Sequence, residues 1–267
     1  MIMLTLYFTA LTETPKYIKH EDTTACVVYW LKLAWNIHYP EIVTRDARIV
    51  ARKITQFIED NEIDQKIGLE NITLVGHGIG AHIAGFVGQH FIAEQDTKIG
   101  AIYALDPAGP LYTNLVREKP ENRLDKHDAE YVQTICTNMG GFGAKINLGH
   151  QNFRPNLGLS PQLPCAYRNE NKLFSFDMKC SHEIATDYFR YSLNPKNKFV
   201  ALRCTKERDS YLRDKCHKER IYDRMGIHAK RDFGGTYYLE PFGSEPYSKN
   251  DINVMNYKKF KNFGVFL

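Results

Sequence analysis

The stretch "ITLVGHGIGAHIAGF", Ile72 to Phe86, decides how this chain folds. Ile72, Thr73, Leu74 and Val75 make a short β-favouring run. Glycines at 76, 78 and 80 admit a sharp turn through backbone conformations that other residues avoid. From Gly80 to about Ile92 small and apolar residues continue as a helix. A strand that turns abruptly into a helix lifts the central residue of the turn above the sheet end, and in α/β folds sites lie outside the carboxyl ends of strands. The central residue here is Gly78, which has no side chain to present.

Upstream, "ACVVYW" reads as a buried strand, and "EIVTRDARIVARKITQFIED" as an amphipathic helix with Val43, Ala47, Val50, Ile54 and Phe57 on its apolar face. Downstream come the strands "IGAIYALDP" and "EYVQTICTN". Beyond Thr137 the chain is loop-rich through "TNMGGFGAKINLGHQNFRPNLGLSPQLPC", followed by a helix near "HEIATDYFRYSL" and a strand at "GTYYLEPF". Alternating strands and helices imply a mainly parallel sheet with right-handed crossovers and helices on both faces. No repeat, low-complexity run or composition shift marks a linker, so one domain over residues 1–267 is expected. The opening "MIMLTLYFTALTE" lacks the basic start and small-residue cleavage site of a signal peptide, and reads as a strand or as the edge of an incomplete chain.

With 267 residues, 43% of them hydrophobic, the chain can bury a large core. The 35 Lys and Arg against 31 Asp and Glu give a formal charge of +4, scattered apart from the short "NYKKFKNF", which excludes a nucleic-acid footprint. No apolar run reaches the roughly 20 residues of a transmembrane helix. Of six cysteines, Cys165 and Cys180 bracket 14 residues and Cys204 and Cys216 bracket 11, in polar, loop-like sequence suited to disulfides. Cys26 and Cys136 lie in apolar strand-like runs, where a thiol acts as a small hydrophobe. Two disulfides and two free thiols point to an oxidising, extracellular compartment.

Three segments carry reactive-looking residues: "GHGIG" after one strand, "ALDPAGP" with Asp106 after the next, and "CSHEIA" with His182 at the start of a late helix. Turn, acid and histidine stand in the order of α/β-hydrolase triads. Taken with "IYALDPAGPLY", "RLDKHDAEYVQTICTN", "LGHQNFRPNLG", "MGIHA" and "GTYYLEPF", the chain from about Thr24 to Phe242 resembles the animal pancreatic-lipase-like family, which includes insect lipases, phospholipases A1 and yolk proteins. The resemblance implies an α/β-hydrolase fold lacking its first strands and with no C-terminal β-sandwich domain. It implies Asp106 as the triad acid, His182 as the base, the Ile79 amide as one oxyanion donor, and a lid-region loop closed by Cys165 and Cys180 and carrying Phe174 and Phe176. It also places a structural calcium near Asp125 and Asp128, with Glu118 and Glu121 as further candidates; otherwise no cofactor is expected.

The family turn is G-x-S-x-G, and Gly78 holds the serine position. Acyl transfer needs an oxygen nucleophile there, so the reaction should be lost while the backbone is kept. The upstream apolar-His-Gly element, source of a second oxyanion donor, is absent before "ACVVYW". The family His-Thr-Asn reads Cys136-Thr137-Asn138, and its Asp-Phe-Tyr-Pro-Asn reads Asn152-Phe153-Arg154-Pro155-Asn156. The expectation is a secreted, catalytically silent homologue that binds a lipid or other hydrophobic small molecule, contacts a lipid surface peripherally, or serves in storage or partner binding. The alternative is an active triacylglycerol lipase or phospholipase A1, if Gly78 is an allele or a sequence error.

Overall fold

The computed structural model describes residues 2–6, 24–28, 39–61, 66–114, 118–168, 174–204 and 221–250. Among these residues nine strands form one sheet: β1 (Ile2–Leu6), β2 (Thr24–Val28), β3 (Ile72–His77), β4 (Ile99–Leu105), β5 (Ala129–Ile135), β6 (Gln151–Pro155), β7 (Val200–Cys204), β8 (Tyr222–Arg224) and β9 (Gly235–Leu239), in the order β2-β1-β3-β4-β5-β6-β9-β7-β8. From β2 to β9 every neighbouring pair is parallel, and β7 and β8 complete the sheet antiparallel. The opening segment is therefore a strand, and an inner one: Leu6 pairs with Gly76, so the chain leaves β1 at the same sheet end as the glycine turn.

Among the described residues the α-helices of six residues or more are α1 (Ala47–Asp60), α2 (Ile79–Gln95), α3 (Leu163–Arg168) and α4 (Phe174–Ser192). The apolar residues fall into two large clusters. One joins α1 and α2 through Val50, Ile54, Ile58, Ile83, Val87 and Phe91. The other joins α4 and the sheet through Val75, Tyr103, Ile184, Tyr188, Phe189 and Tyr237. Strands β3 and β4 are apolar almost throughout, as expected of parallel strands covered on both faces.

Several sequence expectations shift. Phe57 is 44% exposed, and Ile58 takes the buried place on α1. A π-turn over Ile42–Asp46 precedes this helix, and the stripe of Ala47, Ala51, Ile54 and Ile58 turns Phe57 to its edge. Helix α2 runs to Gln95, about a turn past Ile92. Helix α4 starts at Phe174, two turns before His182, and Cys165 lies in α3, so the described residues of the expected lid-region loop are helical.

Strands β6 and β7 lie in sequence expected to be loop. The reason at β6 is its polarity. Asn152 Oδ1 accepts the Thr134 hydroxyl and the Leu148 and Gly149 amides, while Gln151 Nε2 donates to Asp223 at 2.8 Å, so the strand buries polar side chains that carry partners.

Candidate active site

The glycine turn takes the conformation that its composition permits. Gly78 has φ +58° and ψ −119°, where side-chain-bearing residues are strained. Its N–H donates to Leu105 O at 3.0 Å, and its carbonyl accepts from Ala81 N–H at 3.2 Å and Ala108 N–H at 3.1 Å. These bonds tie the turn to the end of β4, where Asp106 follows.

Asp106 is fully buried and itself has φ +39°. Oδ1 accepts the backbone N–H groups of Thr137 (2.8 Å) and Asn138 (2.9 Å) from the loop after β5. Oδ2 accepts from His182 Nδ1 at 2.6 Å. Gly143 packs so closely that a β-carbon there would lie 2.5 Å from Asp106 Oδ1, so a larger residue would displace the carboxylate. With Nδ1 donating to Asp106, the other ring nitrogen of a neutral His182 presents a lone pair. It points at Gly78: an ideal β-carbon there would be 3.1 Å from His182 Nε2. The structure thus brings Gly78, Asp106 and His182 together from three chain segments.

Three further contacts hold His182. His77, the last residue of β3, donates from Nε2 to the His182 carbonyl at 2.9 Å, with the two rings 4.2 Å apart. Burial and then the neighbouring imidazole push the His77 pKa down to about 3, so it stays neutral. Asn138 Nδ2 donates to Met178 O at 2.8 Å, fastening the Asp106 loop to α4. The Cys165–Cys180 disulfide clamps α4 two residues before His182. At the mouth, Phe142 is 42% exposed and meets the His182 ring edge-on at 5.7 Å.

Sequence reasoning had no role for His77, Phe142 or Gly143. His77 stood in the quoted motif, and "GGFG" signalled close backbone approach, but only tertiary contact assigns their partners. Ile79 is the first residue of α2, so its amide has no intrahelical acceptor, the position an oxyanion donor needs. The side chains of Phe174 and Phe176 lie outside the described residues, as does Cys216. Cys204 is disulfide-bonded, while Cys26 and Cys136 are free. Cys136 is buried and donates to Thr134 Oγ1 at 3.5 Å, and burial raises its pKa to about 11, which makes it inert. Asn152 accepts from Thr134, and Asn156 donates to Gln162.

The calcium donors are committed elsewhere. Asp125 Oδ2 lies 3.3 Å from the Arg123 guanidinium and Oδ1 is 2.6 Å from His127 Nδ1. Glu118 accepts from Asn122, and Glu121 pairs with Lys119. Asp128 is buried, its pKa raised to about 7 by desolvation. With Asp125 facing a guanidinium and Asp128 facing the Gln89 amide, the carboxylates as they stand do not fit calcium, and no chemistry is derived from a metal here.

A buried acid cradled by two amides, a histidine oriented by it, and a strand-turn-helix aimed at the histidine agree with the match of residues 10–247 to the Lipase family model. The chain belongs to the lipase family. Relatives include lipase member H of Rattus norvegicus, 35% identical over 200 residues covering 74% of this chain and 41% of that protein. Lipase member H of Danio rerio is 33% identical, with 70% and 38% covered. Hepatic triacylglycerol lipase of Oryctolagus cuniculus is 32% identical, with 71% and 39% covered. The chain thus spans about two fifths of the length of these lipases. Among its described residues no helix is long and apolar enough to cross a membrane.

Proposed function

We propose that this lipase-family chain is catalytically silent and binds a lipid or similarly hydrophobic small molecule. One observation carries the reading: the place facing His182 Nε2 belongs to Gly78, which has no oxygen. Ester hydrolysis in a triad proceeds through transfer of a hydroxyl proton to histidine and formation of an acyl-enzyme. The histidine here has an acid to orient it and no hydroxyl to deprotonate. Removing the nucleophile from a triad costs about 10⁶-fold in turnover in subtilisin, leaving only what the surroundings contribute.

The exposed Phe142 ring beside His182 supports an apolar ligand or a lipid surface at the mouth. The Cys165–Cys180 disulfide supports an oxidising, extracellular setting. A second reading, an active triacylglycerol lipase or phospholipase A1, draws on the Asp106–His182 pair and on the names of the relatives, and it requires serine at position 78.

Purified protein should release no p-nitrophenol burst from short-chain esters, hydrolyse no phospholipid above background, and take no label from an organophosphonate. Solvent extraction followed by mass spectrometry should recover bound lipid. A stoichiometric burst or label would overturn the silent reading, and extraction that yields no lipid would overturn the ligand reading in favour of a storage or partner-binding role.

A further inference from the structure

Four oxygen atoms converge on one nitrogen beneath α2. Gln89 Nε2 lies 3.2 Å from Pro120 O, 3.0 Å from Arg123 O, and 3.2 and 3.3 Å from the two carboxylate oxygens of Asp128. A primary amide has two hydrogens, so it satisfies at most two of these acceptors at once. Two carbonyls and a carboxylate closing on one point are the ligand chemistry of a hard divalent cation, which would draw the oxygens in to about 2.3–2.6 Å. A neutral amide stands at that point instead.

The surroundings are built to bring it there. His82, Gly85 and Gln89 share one face of α2, spaced by three and four residues. His82 Nδ1 accepts the Leu124 N–H at 3.0 Å. A β-carbon at Gly85 would lie 2.8 Å from Asp128 Oδ2, and one at Gly88 2.0 Å from Asp128 O, so both glycines let the loop press against the helix. Asp128 Oδ2 also accepts the Asp125 N–H at 2.8 Å. The Asp125 carboxylate is turned away toward Arg123 and His127.

We infer that Gln89 substitutes for a cation: its side-chain amide fills an oxygen cage and ties the 120–128 segment to α2, and removing the amide opens a calcium-binding site. The segment leads directly into β5, and the loop after its far end carries the Thr137 and Asn138 amides that cradle Asp106, so the tie supports the sheet beneath the site.

Thermal melting in EDTA and in millimolar calcium, together with terbium luminescence, tests this on the full chain. The natural protein should melt at the same temperature in both and give no calcium-displaceable terbium signal. Gln89→Ala should melt lower in EDTA, recover in calcium, and bind one displaceable terbium. Gln89→Glu, which sets a second carboxylate beside Asp128, should depend on calcium more strongly. If Gln89→Ala fails to fold in EDTA, refolding it with and without calcium gives the same reading. A natural protein destabilised by EDTA and restored by calcium would overturn the inference. So would both variants folding with no calcium response.

Discussion

The β-carbon that Gly78 lacks would stand 3.1 Å from His182 Nε2, while the opposite nitrogen of that ring is 2.6 Å from Asp106 Oδ2. Position 78 is thus aligned with a histidine already oriented for proton transfer. A serine hydroxyl placed there would come within about 2.6–3.2 Å of the ring, with a shift of a few tenths of an ångström by His182. We therefore expect Gly78→Ser to form an acyl-enzyme detectable by mass spectrometry, abolished by His182→Ala. A site short of one oxyanion donor would run about a hundred- to a thousand-fold slower than a complete one. A folded Gly78→Ser protein that never acylates would show that the loss extends beyond the nucleophile.

The same substitution should weaken the fold. At φ +58° glycine is unstrained, whereas a residue with a β-carbon incurs about 1–3 kcal/mol. Urea unfolding of Gly78→Ser and Gly78→Ala should show losses in this range and of similar size, since the strain resides in the backbone. No loss in either variant would mean that the turn is more plastic than its geometry implies.

Asp106 should matter for stability even without catalysis. Replacing it by alanine leaves the Thr137 and Asn138 amides and His182 Nδ1 without their acceptor, and an unsatisfied buried donor costs about 1–3 kcal/mol. Asp106→Asn, which keeps an acceptor oxygen for the amides, should lose less than Asp106→Ala in denaturant titration. Equal losses would argue that the hydrogen bond to His182 dominates.

The Cys165–Cys180 crosslink closes a sequence separation of 15 residues, worth up to about 3 kcal/mol in the chain-entropy model. Replacing both cysteines by alanine should lower stability by no more than that and speed proteolysis between the two sites. Non-reducing peptide mapping should return this crosslink with Cys26 and Cys136 as free thiols. A Cys26–Cys136 crosslink would contradict the sheet order, in which β2 lies at one edge and β5, just before Cys136, is separated from it by β1, β3 and β4.

Acid should unfold the protein through its buried histidines. Burial holds His77 and His82 neutral, with pKa values near 3 against about 6.5 in an unfolded chain. The unfolded state binds more protons between these values, so stability is full above pH 6.5 and is lost as pH falls toward 3. Asp128 opposes this with one group: its raised pKa gives stability that is present below about 3.8 and lost as pH rises through 7. Two histidines outweigh one carboxylate between pH 6 and 4. His82→Gln, which can still donate to Ala108 O, should reduce proton uptake on unfolding at pH 5 by about one, read from the slope of stability against pH. An unchanged slope would mean that His82 is not held neutral.

Strands β3, β4 and β9, the turn at Gly78 and the helix after it were all legible as periodicity and glycine placement, because each is a local pattern of burial. Strand β6 was not. Its Gln151 and Asn152 read as loop, and they are strand residues only because Thr134 and Asp223, on other elements, supply their partners. Phe57 and Ile58 show the same limit on α1, where a π-turn upstream, invisible to a simple helical repeat, precedes the stripe.

The chain alone determined that position 78 carries no nucleophile, since the identity of a residue needs no neighbours to be read. It determined the α/β architecture too, because parallel strands covered on both faces must be apolar throughout. Tertiary structure decided everything that depends on two distant segments meeting. It set His182 Nε2 against the bare Gly78 and Asp106 beneath two loop amides, and put His77 behind the histidine. It also placed the Gln89 amide among four oxygens from a loop thirty to forty residues away in sequence. Hydrogen bonds and desolvation act over a few ångströms of space, and sequence separation carries no record of that distance until the sheet has brought its strand ends together.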